Sequence, residues 1–311
     1  MSCVRYPFAG RVAVAVLVGG VTCAFAHLAA QERFTFFLSA RTIAGDRVTD
    51  LGTSEVTVTE DGRPGRVLQV SNVRRPVNVT VMVDNGFNTE SLLLVYRNGL
   101  KALFGGLPAD VEASLLTLSP APRWTVRPTR DHGQLMKGID TLTSDPAAPR
   151  TIDGLVEAAR RLEQESRKPI EYFPIFVLVS TTGPEGSRPG DRDLQRMAIQ
   201  MNTSAARVHV IMLSTGGTSP NEVLGAPQVH VAKFLADQTG GRYEAIAAST
   251  RIATLLEEYG QVIANAHAFQ KDQFLVTAER PAGATGTPGK RTIGLLRQGL
   301  TFTVTPDGLA P

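Results

Sequence analysis

The residues best placed to do chemistry lie in Val77–Asn88, VNVTVMVDNGFN. An apolar, β-branched run ends on Asp84, and a glycine-containing turn follows at once. A buried parallel strand that stops in this way delivers its last side chains to the carboxyl edge of the sheet, where open α/β folds bind ligands. A carboxylate there can anchor a metal or a polar partner, or accept the backbone N–H groups of the turn that follows. Other candidates carry less. Asp131-His132 opens a helix, where Asp serves as an N-cap. His209 falls inside a strand, and His230 and His267 sit on separate helices without metal-ligand spacing. Ser214-Thr215-Gly216-Gly217-Thr218-Ser219 exposes backbone N–H groups suited to an anion, but it lacks the lysine of a P-loop. There is no G-x-S-x-G elbow. Trp124, the only tryptophan, reads as a packing residue or, more sharply, as an exposed contact residue.

The elements that must position these residues change rhythm at Arg74-Arg75-Pro76. Before it the pattern is β: FTFFLSART reads as a strand, and SEVTVTEDGRPGRVLQVSN as a hairpin through Glu60-Asp61-Gly62. After it, strand and helix patterns alternate. Val77–Asp84, Val111–Leu118, Trp124–Pro128, Phe173–Ser180, Val208–Leu213 and Tyr243–Ala247 read as strands. Thr89–Phe104, His132–Leu142, Ile152–Ser166, Asp191–Asn202, Val229–Gln238 and Ser249–Ala266 read as helices. Continuous apolar strands in β-α alternation predict a doubly wound, mainly parallel α/β sheet with helices on both faces. Beyond Lys271 the chain returns to β at Gln273–Ala278 and Leu300–Thr305. The two β flanks are expected to pair as a small module beside the α/β core.

The first 26 residues have the pattern of a secretion signal. Arg5 and Arg11 precede the apolar run Val12–Val21, and Ala24-Phe25-Ala26 is a small-x-small cleavage site; Ala30 offers a second. Both cysteines, Cys3 and Cys23, fall in this leader, so the mature chain is expected to hold its fold without a disulfide. Subtracting Arg5 and Arg11 from 32 basic residues leaves 30 against 29 acidic ones. Nothing in that balance, nor any basic stripe with interleaved aromatics, points to nucleic acid. The expected organisation is a signal peptide over 1–26, a β segment over 32–73, an α/β domain over 76–268 and a β segment over 271–306.

With that order in place, the chain resembles the von Willebrand factor A-related proteins of bacterial exported proteomes, particularly those of acidobacteria. The resemblance rests on Ser54–Pro64, SEVTVTEDGRP, on the strand ending at Asp84, and on Arg297-Gln298-Gly299-Leu300. It covers roughly Phe34 to Thr305. It implies an interaction or adhesion module whose sheet edge often carries a divalent cation held by D-x-S-x-S, a threonine and a second aspartate.

Carried over by position, the first aspartate is Asp84, the two serines fall on Gly86 and Asn88, and the threonine falls on Pro149 beside Thr151. The last aspartate falls on Thr182. A set with one carboxylate is a poor match for Mg²⁺, which demands near-ideal octahedral oxygen geometry. The resulting expectation is a secreted or periplasmic protein-binding module, with no enzymatic activity and no resident cofactor. Its partner edge would include Asn85, Gly86, Phe87, Thr181 and Thr215. The alternatives are Mg²⁺-dependent adhesion through a degenerate site of Asp84, Asn88, Thr151 and Thr182, or an envelope hydrolase or phosphate-binding enzyme at the same edge.

Overall fold

A computed structural model describes residues 32–166, 171–215, 226–306 and 308–309 of this chain. The expected leader and Gly216 to Ser219 of the glycine-rich loop lie outside the described residues. The β flanks form one module. Its strands are β1 (Arg33–Thr42), β2 (Val56–Glu60), β3 (Arg63–Pro64), β4 (Arg66–Arg74), β11 (Asp272–Glu279), β12 (Arg291–Leu295) and β13 (Leu300–Thr305). They make a four-stranded sheet in the order β13-β1-β11-β4 and a three-stranded sheet in the order β12-β2-β3. Alternate residues of both sheets, Phe36, Leu38, Val56, Val58, Phe274 and Val276 among them, meet in a shared core.

The expected hairpin over 54–72 forms only in part. β2 pairs with β12 and with the two residues of β3, whereas β4 pairs with β11 in the other sheet. The chain changes sheets at Gly65, whose N–H still donates to the Val58 carbonyl at 2.9 Å. A Cβ at Gly65 would stand 2.8 Å from the Glu279 carbonyl oxygen, so only glycine lets the strand cross there. The strand Arg291–Leu295 was not read from the sequence: it is short, carries Gly294, and exists because β2 supplies a long-range partner.

Between the flanks lie β5 (Val77–Val83), β6 (Glu112–Thr117), β7 (Arg123–Thr129), β8 (Phe173–Thr181), β9 (Arg207–Leu213) and β10 (Tyr243–Ile246). Their sheet order is β10-β9-β8-β5-β6-β7, parallel throughout except for β7 against β6. All nine residues of β8 are buried, as a strand covered on both faces requires. Helices α1 (Leu93–Gly105), α2 (His132–Asp140) and α6 (Arg251–Gln270) cover one face. Helices α3 (Thr151–Glu165), α4 (Asp191–Thr203) and α5 (Pro227–Gln238) cover the other. Strand alternation sends Val77, Val79, Val81 and Val83 into the first core, and Met82 into the second. Asp84 follows one step beyond β5. Among the described residues no helix is long and apolar enough to cross a membrane.

Candidate functional site at the carboxyl edge of the sheet

Asp84 is held where its strand has just ended: its N–H donates to the Val179 carbonyl of β8 at 2.8 Å. The carboxylate is almost wholly buried, and both oxygens are engaged. Oδ1 accepts from the Gly86 N–H at 2.9 Å. Oδ2 accepts from the Thr181 N–H at 3.2 Å and the Thr181 hydroxyl at 2.9 Å. Burial raises the Asp84 pKa above its ordinary value of 3.8; the donors at Gly86 and Thr181 oppose that rise, and the charge of Glu185 adds to it. Burial, with the Asp84 charge adding to it, pushes the Tyr96 phenol upward, and the buried Tyr96 hydroxyl has no partner among the described residues.

The loop after Asp84 is locked to its neighbours. Phe87 N–H donates to the Ala147 carbonyl at 3.0 Å, and Gly186 N–H to the Pro149 carbonyl at 2.7 Å. Asn85 closes the seam. Its Oδ1 accepts from the N–H groups of Leu118 and Ser119, at 3.2 and 3.0 Å, and its Nδ2 donates to the Thr143 carbonyl at 3.1 Å. A Cβ on Gly86 would lie 2.6 Å from Pro149 Cδ, 2.8 Å from Pro149 N and 2.9 Å from the Ala147 oxygen. Pro149 and Ala147 therefore fill the volume that a side chain at position 86 would need.

The other expected ligands are engaged elsewhere. Asn88 has φ +66 and an exposed side chain. The Thr151 hydroxyl lies 3.2 Å from Ser180 Oγ. Thr182 Oγ1 accepts from the Thr215 N–H at 3.1 Å and lies 3.3 Å from the Thr215 hydroxyl. The structure thus brings Asp84 and Thr181 together, pairs Thr182 with Thr215, and puts neither Thr151 nor Asn88 in hydrogen-bond contact with Asp84. A second carboxylate not singled out by sequence, Glu185, also stands at this edge. It accepts from Thr151 N–H at 3.3 Å and Ser187 N–H at 2.8 Å. Only the loop contact identifies it, because Glu185 follows a turn with no periodic signal.

A hard cation needs several oxygens with free lone pairs around one point. Here the oxygens are turned toward backbone donors and toward one another, and no side chain exists at position 86. The residues present do not fit a divalent cation. Among the described residues, no three His, Cys, Asp or Glu side chains gather as ligands anywhere.

Solved structures similar to this chain include a von Willebrand factor type A protein from Catenulispora acidiphila. It is 10% identical with a TM-score of 0.47, covering 88% of this chain and 72% of that one. BatB from Bacteroides thetaiotaomicron is 13% identical with a TM-score of 0.43, covering 61% and 99%. The vWF domain of the pilus tip protein Mfa5 from Porphyromonas gingivalis is 12% identical, with a TM-score of 0.43 over 61% and 96%. No family model matches the sequence, and no curated protein matches it. At these identities and TM-scores no residue role transfers.

Two histidines, His209 and His267, have internal tasks. His209 is buried in β9, accepts from the Arg242 N–H at 3.1 Å, and burial lowers its pKa to about 4. His267 accepts from the Val77 N–H at 3.2 Å through Nδ1, which leaves Nε2 as the donor to Asp110 at 3.1 Å. Asp131 caps α2, accepting from Gly133 N–H at 2.9 Å and Gln134 N–H at 3.3 Å. Trp124 is half-buried on β7, and the Arg161 guanidinium lies 4.4 Å from its ring centre.

Proposed function

We propose that this chain is an exported von Willebrand factor A-like interaction module, with no enzymatic activity, that binds a protein partner through the carboxyl edge of its central sheet without a divalent cation. One observation carries the reading. Phe87 is 50% exposed at the tip of a loop whose backbone is pinned on both sides, by Asp84 and by Ala147. A rigid loop presenting an aromatic side chain binds at little entropic cost, and such anchors dominate protein interfaces. The buried, fully engaged Asp84 supports a structural role for the carboxylate. The leader-like residues 1–26 support export.

The test compares wild type with Phe87→Ser and Asp84→Ala. Wild type should capture a partner from envelope fractions equally in Mg²⁺ and in chelator, and Phe87→Ser should lose it while melting as wild type does. A rise of several degrees in melting temperature on adding Mg²⁺ or Mn²⁺, abolished by Asp84→Ala, overturns the metal-free reading. Unaltered capture by Phe87→Ser overturns the assigned surface.

A further inference from the structure

Away from the loops, the α3 side of the sheet departs from the pattern of a doubly covered core. β5 presents Asn78, Thr80 and Met82 to this side. The Thr80 hydroxyl accepts from Ser114 Oγ at 3.1 Å, so its polarity is met within the sheet. α3 faces these strands with small residues, Gly154 and Ala158, one helical turn apart. Together they leave a cavity of about 170 Å³ walled by Met82, Leu116, Trp124, Leu162 and Phe176. A dry apolar cavity of about 150 Å³ takes a benzene ring, so the space matches one ring or a branched chain of that size.

The rim decides the charge of the occupant. Glu112, Glu157 and Glu165 stand around the cavity with one cation, Arg161. That cation is already committed, over the Trp124 ring and 3.6 Å from Glu165. Glu165 also accepts from the Tyr172 hydroxyl, and Glu157 lies 4.0 Å from Arg160. Glu112 differs. It accepts from Asn78 Nδ2 at 3.0 Å, and among the described residues no basic side chain lies within ion-pair distance of it. Arg74 and Arg130 line the groove on its outer side without pairing to it.

We propose that this cavity is a binding site for a small organic monocation with a single aromatic or branched apolar body, the body seated against Trp124 and Phe176 and the ammonium on Glu112. The site is separate from the edge around Asp84 and does not depend on the function proposed for it. The three carboxylates repel anions, and Trp124 and Phe176 supply faces to which a cation or a ring is attracted.

Trp124 is the only tryptophan, so its fluorescence reports binding beside its ring, and the Ala158→Leu and Glu112→Gln variants assign that binding to this cavity. The full chain is titrated with 2-phenylethylamine, with 2-phenylethanol as its neutral counterpart and with 3-phenylpropionate as the anion. The amine should give a saturable change, the alcohol should bind at least about tenfold more weakly, and the anion should give none, as expected for a charge-assisted contact. Glu112→Gln keeps the Asn78 bond and should weaken the amine by about tenfold while leaving the alcohol unchanged. Ala158→Leu fills the cavity and should abolish binding of both. Equal affinity for amine and alcohol, an unaltered amine titration in Glu112→Gln, or no saturable change with the amine in the wild type overturns the proposal. If Ala158→Leu does not fold, the Glu112→Gln titration decides.

Discussion

At the scale of the residue, the carboxyl edge turns on Gly86. Aspartate at a strand end is compatible with a metal or with a turn, and the neighbour two positions on separates the two. With Pro149 Cδ 2.6 Å from the Cβ that any other residue would add, position 86 cannot contribute a ligand without moving a proline backbone. Gly86→Ser should therefore destabilise the fold by about 1–3 kcal/mol, the usual cost of overpacking, and Mg²⁺ should not restore the lost stability. Urea unfolding with and without Mg²⁺ measures both effects. A serine variant as stable as wild type, or one rescued by the ion, would mean that the Pro149 loop yields and that the site is open to metal. Position 84 was visible in the sequence because an apolar run ending in aspartate is a local pattern. Glu185 and Tyr96 were not, because their relation to Asp84 arises only when separate loops and a helix converge.

At the scale of the element, helices α1 and α6 cross with glycine on each side. A Cβ on Gly99 would lie 2.7 Å from Leu256 Cδ1 and 2.9 Å from Ala253 Cα, and one on Gly260 would lie 2.9 Å from the Leu103 oxygen. Alanine gains up to about 1 kcal/mol over glycine as a helix former, but at Gly260 the added methyl meets backbone, which cannot rotate away. Overlap wins. Gly260→Ala should lower stability by about 1–3 kcal/mol, whereas alanine at Gly105, which has open space around its Cβ, should be neutral or stabilising. Thermal melts of the two variants side by side test the balance. The helices themselves were legible from their apolar spacing. Their crossing, and the crossing of the chain between sheets at Gly65, were not, since a glycine in sequence looks the same whether it ends a helix or admits a neighbour.

At the scale of the whole molecule, charged and polar groups tie the β module to itself and to the α/β domain. Buried Arg280 donates to Glu60 through Nε and Nη2 and to Glu32 through Nη1, and holds the Glu60 pKa down at about 2. Asp110 binds His267 and Lys271 where α6 runs into β11, and Lys271 draws its pKa to about 2. Arg47 donates to the Ala268 carbonyl at 2.6 Å and to Asp272, spanning the same junction. The signs follow from which state holds the proton. Glu60 and Asp110 titrate lower in the folded state, so their stabilisation is complete above the ordinary values of 4.5 and 3.8 and is lost as pH falls toward 2. His209, neutral and buried, titrates near 4 instead of 6.5, so the unfolded chain takes up its proton first and stability declines as pH falls across that interval. Asp84 runs the other way, since its raised pKa favours the folded state on protonation. Stability should therefore fall in two stages on acidification, the first reduced in His209→Gln and the second in Glu60→Gln. Denaturant midpoints across the pH range check this; a profile that is flat below neutrality, or unaltered by both variants, would show that these groups are not differentially protonated.

The sequence by itself determined the doubly wound core, the order of its strands and helices, and the return to a β pattern at both flanks. These follow from periodicity, which is a local property of how side chains alternate on a strand or recur on a helix. The tertiary structure alone decided what Asp84 does, that Thr182 meets Thr215 while Asn88 faces solvent, and that a cavity rimmed by Glu112 opens beside Trp124. Each of those depends on distances between segments far apart in the chain, and composition and spacing do not contain such distances.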